Sequence, residues 1–298
     1  MFILYINDLH RAIDHSETYH FADDTCLLNK SLSRKELNKN TNHDLSKLVN
    51  WLRCNKISLN ASKTEIIIFK GKNEIITKKW NFRISGQKLT LKNHVKYLGI
   101  YLDEHLSWKK DIDFLTQKLS RSVGILSKLR HSLSYTSLIQ LYYAIFDSHT
   151  SYHLPVLGNI SVEYLNSIKS LQNKAIRIIH FKKNTDTVLP LYIQSKILPI
   201  EQNLKLKSCL FAQSQLSDRI PKFFSNYLTP LGNNHNHNTN RVVRLAFDFE
   251  NVNNIQSTIT THWNEIVPHL KLDDRPAILT KGCFKKHIKA YLIDKLAD

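Results

Sequence analysis

The 298-residue chain is long enough for one large domain or two small ones, and with 42% hydrophobic and 10% aromatic residues it can build a core, which excludes wholesale disorder. Its 42 Lys and Arg against 25 Asp and Glu leave a formal charge of +17, which favours polyanionic partners, a nucleic acid or an anionic membrane surface. Well-separated cysteines (Cys26, Cys54, Cys209, Cys283) without a CxxC pair argue against a disulfide scaffold, and no apolar run approaches the roughly 18 residues of a membrane span, so a soluble intracellular chain is expected.

In chain order, residues 1–103 read as mixed α/β. The apolar run Phe2–Ile6, too short for a signal-peptide core, leads into the turn signal Asn7-Asp8. Short strands over Thr18–Ala22 and Thr25–Leu28 flank Asp23-Asp24 as a tight hairpin. Leu45, Leu48, Val49 and Leu52 recur at helical spacing and predict an amphipathic helix over Arg34–Cys54. Strand-like segments follow at Glu65–Lys70, Trp80–Ile84 and Val95–Leu102, with Ser85-Gly86 as a turn.

From about Trp108 the pattern becomes helical. Ile112, Leu115, Leu119, Val123 and Leu126 outline a long helix with Lys109, Lys110, Lys118, Arg121, Lys128 and Arg130 on its other faces. A second helix is predicted over Ser137–Phe146 and a third over Val162–His180, the latter with Lys169, Lys174 and Arg177 outside its apolar stripe. Glu201–Leu216 is helical. Gly232–Asn240 lacks any large apolar residue and reads as a mobile connector. Beyond it Arg241–Phe249 alternates, Thr261–Leu270 is a short helix or turn around Trp263, and Lys281–Leu296 is a basic closing helix. Cys283 and His287 have ligand-like spacing, but no second pair lies near them to complete a zinc site.

The sharpest chemical signal is Phe21-Ala22-Asp23-Asp24-Thr25. Adjacent carboxylates at a hairpin tip repel, so both stay ionised cheaply only beside a cation. Hard oxygen donors suit Mg²⁺, and paired Mg²⁺ ions serve nucleotidyl transfer. One activates the attacking hydroxyl and the other bridges the phosphates and steadies the leaving pyrophosphate. A second pair, Asp273-Asp274, has no flanking strands and reads as a solvated loop.

In these residues the sequence resembles the reverse transcriptases of non-LTR (LINE-type) retrotransposons. Leu4-Tyr5-Ile6-Asn7-Asp8-Leu9 is similar to the segment just before that family's catalytic hairpin, and Phe21–Thr25 to its metal-binding motif C. Trp51-Leu52 with Leu59-Asn60-Ala61-Ser62-Lys63-Thr64-Glu65 resembles motif D, and Tyr97–Asp103 resembles motif E, whose hairpin grips the primer terminus. Leu141-Tyr142 with Ala144 is similar to a thumb-side helix and Leu171–Arg177 to the next basic helix. His235–Arg241, Trp263-Asn264 with Pro268, and Phe284-Lys285-Lys286 follow in the family's C-terminal order.

The resemblance implies an α+β fold. A partial polymerase palm, antiparallel sheet plus helix, would occupy 1–103 and a helical thumb 104–153. A basic helical region would follow at 154–231, then an Asn/His-rich linker and C-terminal region at 232–298. The implied activity is RNA-directed DNA polymerase, adding dNTPs to a primer 3′-hydroxyl on an RNA template. It would use Mg²⁺ (or Mn²⁺) and no organic cofactor, in a nuclear or cytoplasmic ribonucleoprotein with no membrane partner. Asp23 and Asp24 would hold the metal, Asp23 more directly, and Lys63 would stand near the leaving pyrophosphate. Tyr97, Leu98, Gly99 and Ile100 would position the primer, and the basic residues of the two long helices would contact the phosphate backbone. The plainer alternatives are a loop lysine, a sheet core and solvated helix faces, with Trp80, Trp108 and Trp263 as core anchors.

Two departures accompany the matches. The family carries a further catalytic Asp in motif A, well upstream, and a glycine-containing motif B, whereas 22 residues precede Asp23. Asp8 belongs to a segment that matches elsewhere. One carboxylate cluster cannot close a two-metal site, so this chain alone is expected not to extend a primer. It reads as the C-terminal part of a longer polymerase, or as a truncated element copy, with the upstream palm and fingers missing. Leu157 also stands where related sequences carry an aromatic before Gly158. The competing reading is a non-catalytic nucleic-acid-binding relic; a Mg²⁺ phosphohydrolase would need its own nucleophile, and the sequence offers none.

Overall fold

The computed structural model describes residues 2–71, 80–153, 162–217, 219, 229–230, 245–246, 254–270, 276 and 279–297. The chain divides into two units, Met1–Asp111 and Ile112–Asp298. In the first, helix α1 (Phe2–Tyr5) and a 3₁₀ turn (Leu9–Ala12) lead into an antiparallel hairpin, β1 (Glu17–Phe21) and β2 (Asp24–Leu28). Its register runs from Glu17 opposite Leu28 to Phe21 opposite Asp24.

Helix α2 (Arg34–Cys54) buries Leu45 and Leu48, as its spacing predicts. Leu27 of β2 packs on both clusters that α2 organises, one with Leu45, Phe82, Ile84 and Leu89, the other with Leu9, Ile13 and Leu48. That contact fixes the base of the hairpin on the helix and leaves its tip in solvent. Trp80 stacks on Phe82 with ring centroids 5.4 Å apart, and the Arg34 guanidinium lies 4.4 Å over the Trp80 ring.

Two further hairpins follow, β3 (Arg83–Ile84) with β4 (Gln87–Lys88), and β5 (His94–Tyr97) with β6 (Ile100–Asp103). Both turn on residue pairs with positive φ, Ser85 (49°) and Gly86 (78°), then Leu98 (47°) and Gly99 (86°), as two-residue hairpin loops require. The expected single segment Val95–Leu102 is therefore a hairpin. The expected strand Glu65–Lys70 is reduced, among the described residues, to an isolated parallel bridge between Ile66 and Leu91. The Asn42 side chain donates to the Asn81 carbonyl at 2.8 Å and accepts the Arg83 N–H at 2.9 Å, tying α2 to the edge of β3.

The division between the units falls in the first turn of α3 (Lys109–Leu129). All five expected core positions of α3, Ile112, Leu115, Leu119, Val123 and Leu126, are buried. Helix α4 (Tyr135–Tyr142), a π-helical turn (Tyr143–Asp147) and α5 (Ser148–His153) run on without a break, longer than the predicted Ser137–Phe146. The extension at the start comes from Ser134, whose side chain caps α4 by accepting the Ser137 N–H at 3.2 Å.

Helices α6 (Val162–Ile179), α7 (Leu189–Ser195) and α8 (Ile200–Leu216) follow, then a short pairing of β7 (Thr229–Pro230) with β8 (Leu245–Ala246), α9 (Asn254–Ile266), a 3₁₀ turn (Val267–His269) and α10 (Lys281–Asp294). Helix α9 starts earlier than the predicted Thr261. Gln172 of α6 is buried, donates to the Tyr142 hydroxyl (2.9 Å) and the Leu198 carbonyl (3.0 Å), and accepts the Ile200 N–H (2.8 Å). Leu198, Leu206, Cys209, Leu210, Trp263, Phe284 and Ile288 form a core in which Trp263 and Phe284 lie 5.8 Å apart.

Helices with small antiparallel hairpins make this an α+β fold. The predicted connector Gly232–Asn240, the pair Asp273-Asp274 and the Leu157-Gly158 segment lie outside the described residues, as does most of Arg241–Phe249. The cysteines are free thiols. No helix among the described residues is long and apolar enough to cross a membrane.

Candidate active site

The Asp-Asp hairpin differs from its prediction by one residue. Ala22 and Asp23 make the turn, and Asp24 already belongs to β2, opposite Phe21. Ala22 takes φ 52°, a left-handed conformation that costs an L-residue with a Cβ roughly 1–2 kcal/mol. The β1–β2 ladder, anchored at its base by Leu27, carries that turn at the hairpin tip. Both aspartates are exposed, and among the described residues neither is paired with a Lys or Arg. Two adjacent, solvent-facing carboxylates with unengaged oxygens form a donor set that fits a hard divalent cation.

Tyr97 ends β5. Burial pushes its phenol up, and the Cys26 thiol and the Asp24 carboxylate add to the effect, which places the end of β5 within electrostatic reach of the hairpin. Leu98 and Gly99 form the turn and Ile100 pairs back with Tyr97, so the expected primer-positioning residues share one tight loop. Asp103, where that motif ends, accepts the N–H groups of His105 (3.1 Å), Ser107 (3.0 Å) and Trp108 (2.9 Å). Burial raises its pKa, and these hydrogen bonds outweigh that and hold it below the usual value.

Lys63 is exposed on a 3₁₀ turn (Ala61–Lys63) capped by Asn60, and no hydrogen bond or ion pair among the described residues joins it to Asp23 or Asp24. A cavity of about 590 Å³ opens beside the hairpin, lined by Ile3, Ile6, His10, His20 and Phe21 among others. His20 faces Thr25 Oγ1 through Nδ1 at 3.3 Å, while its Nε2 is buried without a hydrogen-bond partner. Burial first, and the neighbouring His10 second, lower its pKa. Sequence reasoning passed over His20, although its place in β1 directly before the Phe21–Thr25 motif was the available signal.

One cluster of potential metal ligands stands elsewhere among the described residues, His15, His43 and Asp44, with ligand atoms within 4.8 Å of one another. Asp44 is fully buried, and its carboxylate already accepts the N–H groups of Asp14 (3.3 Å) and His15 (3.2 Å) and the Ser16 hydroxyl (2.6 Å). Those bonds occupy its lone pairs and make it the organiser of the loop before β1.

The basic residues divide into two groups. Lys109, Lys110, Arg121, Lys128 and Lys174 are exposed. Lys169 pairs with Glu201 at 2.8 Å, Arg177 donates to the Asp186 carbonyl at 2.9 Å, and Lys118 and Arg130 lie over the Phe114 and Phe181 rings. The second group holds helices and loops together as well as carrying charge.

The sequence is 26% identical over 214 residues to the RNA-directed DNA polymerase from mobile element jockey of Drosophila melanogaster. It is 27% identical over 162 residues to the jockey polymerase of Drosophila funebris, and 25% identical over 163 residues to the probable RNA-directed DNA polymerase from transposon X-element of Drosophila melanogaster. These relatives are RNA-directed DNA polymerases of mobile elements. The matches cover 71%, 53% and 53% of this chain but 21%, 17% and 18% of those polymerases, so the chain spans about a fifth of their length. No protein-family model matches the chain, and no solved structure is significantly similar to it.

Proposed function

We propose that this chain is the part of a mobile-element reverse transcriptase that carries motifs C, D and E, the thumb (104–153), a basic helical region (154–231) and a C-terminal region (232–298). One observation carries the reading. Two adjacent, exposed carboxylates sit at a hairpin tip whose Ala22 has a positive φ, in a chain similar to RNA-directed DNA polymerases.

Asp23 and Asp24 would hold the metal, and the Ala22 turn would fix where they present their oxygens. Mg²⁺ or Mn²⁺ bound there supplies Lewis-acid stabilisation of the primer hydroxyl and the transferred phosphates. Tyr97 to Ile100 orient the primer end on their turn, and Lys63 gives charge or a proton to the departing pyrophosphate. Lys109, Lys110, Lys118, Arg121, Lys128, Arg130, Lys169, Lys174 and Arg177 hold the phosphates of the RNA template and DNA primer, the exposed ones most strongly. A two-metal site needs the motif A carboxylate as well, so the 298 residues by themselves bind nucleic acid and leave a primer unextended.

Titration of Mn²⁺ into the isotopically labelled chain tests the metal assignment. Paramagnetic broadening is expected first at the amides of Phe21 to Thr25, and Asp23→Asn with Asp24→Asn should abolish it. Broadening that the double substitution leaves in place would contradict the assignment.

A further inference from the structure

Lysines of the second unit away from α3 and α6 form a group of their own. Lys281, Lys285 and Lys289 recur every fourth residue along α10 and so share one face of it. Helix α8 packs against α10 and contributes Lys207, and Lys196 follows α7 in a left-handed conformation. The charges interact, Lys207 of α8 with Lys281 and Lys285 of α10, and Lys289 with Lys285 on its own helix and with Lys196 after α7. Burial first, and these like charges with it, hold the Lys207 and Lys289 ammonium groups below their ordinary pKa despite the nearby Asp147 carboxylate.

Three lysines of this unit are paired among the described residues, Lys169 with Glu201 and both Lys205 and Lys295 with Glu265. The five here form no ion pair among the described residues. Asp147, the carboxylate among them, already accepts the Asn203 amide and the Ser151 hydroxyl, each at 3.1 Å. From the same π-helical turn Tyr143 offers a ring that is 39% exposed, with the Lys289 ammonium 6.0 Å from its centroid. Gathering like charges is unfavourable without an anion, and a row of cations beside an open aromatic matches phosphates interleaved with flat bases.

We propose that Lys207, Lys281, Lys285 and Lys289 bind the backbone of a single-stranded nucleic acid, with a base stacked on Tyr143. The partner class rests on the polymerase reading; the surface itself does not. The test is anisotropy of a labelled single-stranded oligonucleotide with the full chain across a salt series. Lys281→Gln/Lys285→Gln/Lys289→Gln is compared with Lys35→Gln/Lys39→Gln/Lys56→Gln on exposed positions of the other unit.

The α10 variant should bind roughly 10- to 100-fold more weakly near 0.1 M salt, with a salt slope shallower by about 2, and the control set should not. Tyr143→Ser should cost about tenfold with the slope unchanged. If the triple variant fails to fold, Lys285→Gln alone should lower the slope by about 0.7. The inference is overturned by an α10 variant within twofold of wild type, by equal losses in the control set, or by a wild-type chain that binds no oligonucleotide. Loss of binding to phosphatidylserine vesicles with oligonucleotide binding intact also overturns it. The Mn²⁺ titration reads the hairpin independently, so either reading can fail without the other.

Discussion

Asp23 and Asp44 show how differently two carboxylates of one unit are used. Asp23 is exposed and unpaired among the described residues, so Asp23→Asn should change the unfolding free energy by less than about 0.5 kcal/mol. Asp44 is buried and accepts three donors, so Asp44→Ala strands them and should destabilise the first unit by roughly 2–4 kcal/mol, read by urea unfolding. Only the first was legible in the sequence. Adjacent carboxylates between two strands announce themselves locally, whereas the role of Asp44 depends on donors about thirty positions away along the chain.

His262 sets a pH dependence. Burial first, then Lys205, lowers its pKa from 6.5 to about 4, and Nδ1 is 3.0 Å from the Ser208 hydroxyl. Between those values the unfolded chain takes up a proton that the folded chain refuses. Stability is therefore full above about pH 6.5, falls as the pH drops, and levels off below about 4. His262→Gln should flatten that decline in urea midpoints measured from pH 4 to 7, with the Ser208 contact retained by the amide.

At the scale of elements, Gln172 ties α6 to α4 and to the start of α8. Gln172→Leu leaves a buried N–H, carbonyl and hydroxyl short of partners and should cost roughly 2–5 kcal/mol in the second unit. Ser134→Ala removes one cap and should cost about 1 kcal/mol. A larger loss at Ser134 than at Gln172, in the same denaturation series, would contradict this ranking. Helices α2, α3, α6, α8 and α10 were readable because long apolar stripes outweigh local ambiguity. Helix α7 was not, being seven residues with Pro190 in its first turn. The β5–β6 hairpin read as one strand because Leu98 gives no local sign of its positive φ.

At the scale of the molecule, the +17 charge and the order of short motifs carried the functional reading, and similarity to the jockey and X-element polymerases supports it. Positions that depend on tertiary packing, such as Leu27 between the two clusters on α2 and the α8–α10 lysines, emerged from the fold. The Asp23-Asp24 hairpin is proposed as half of a polymerase site. Its most direct test is primer extension on an RNA template with Mg²⁺ by this chain joined to an upstream polymerase segment that carries motif A. Template-dependent dNTP incorporation by the joined chain, its loss by at least about 100-fold on Asp23→Asn, and none by the 298 residues alone are the expected results. Incorporation that survives Asp23→Asn undiminished would remove the hairpin from the catalytic site.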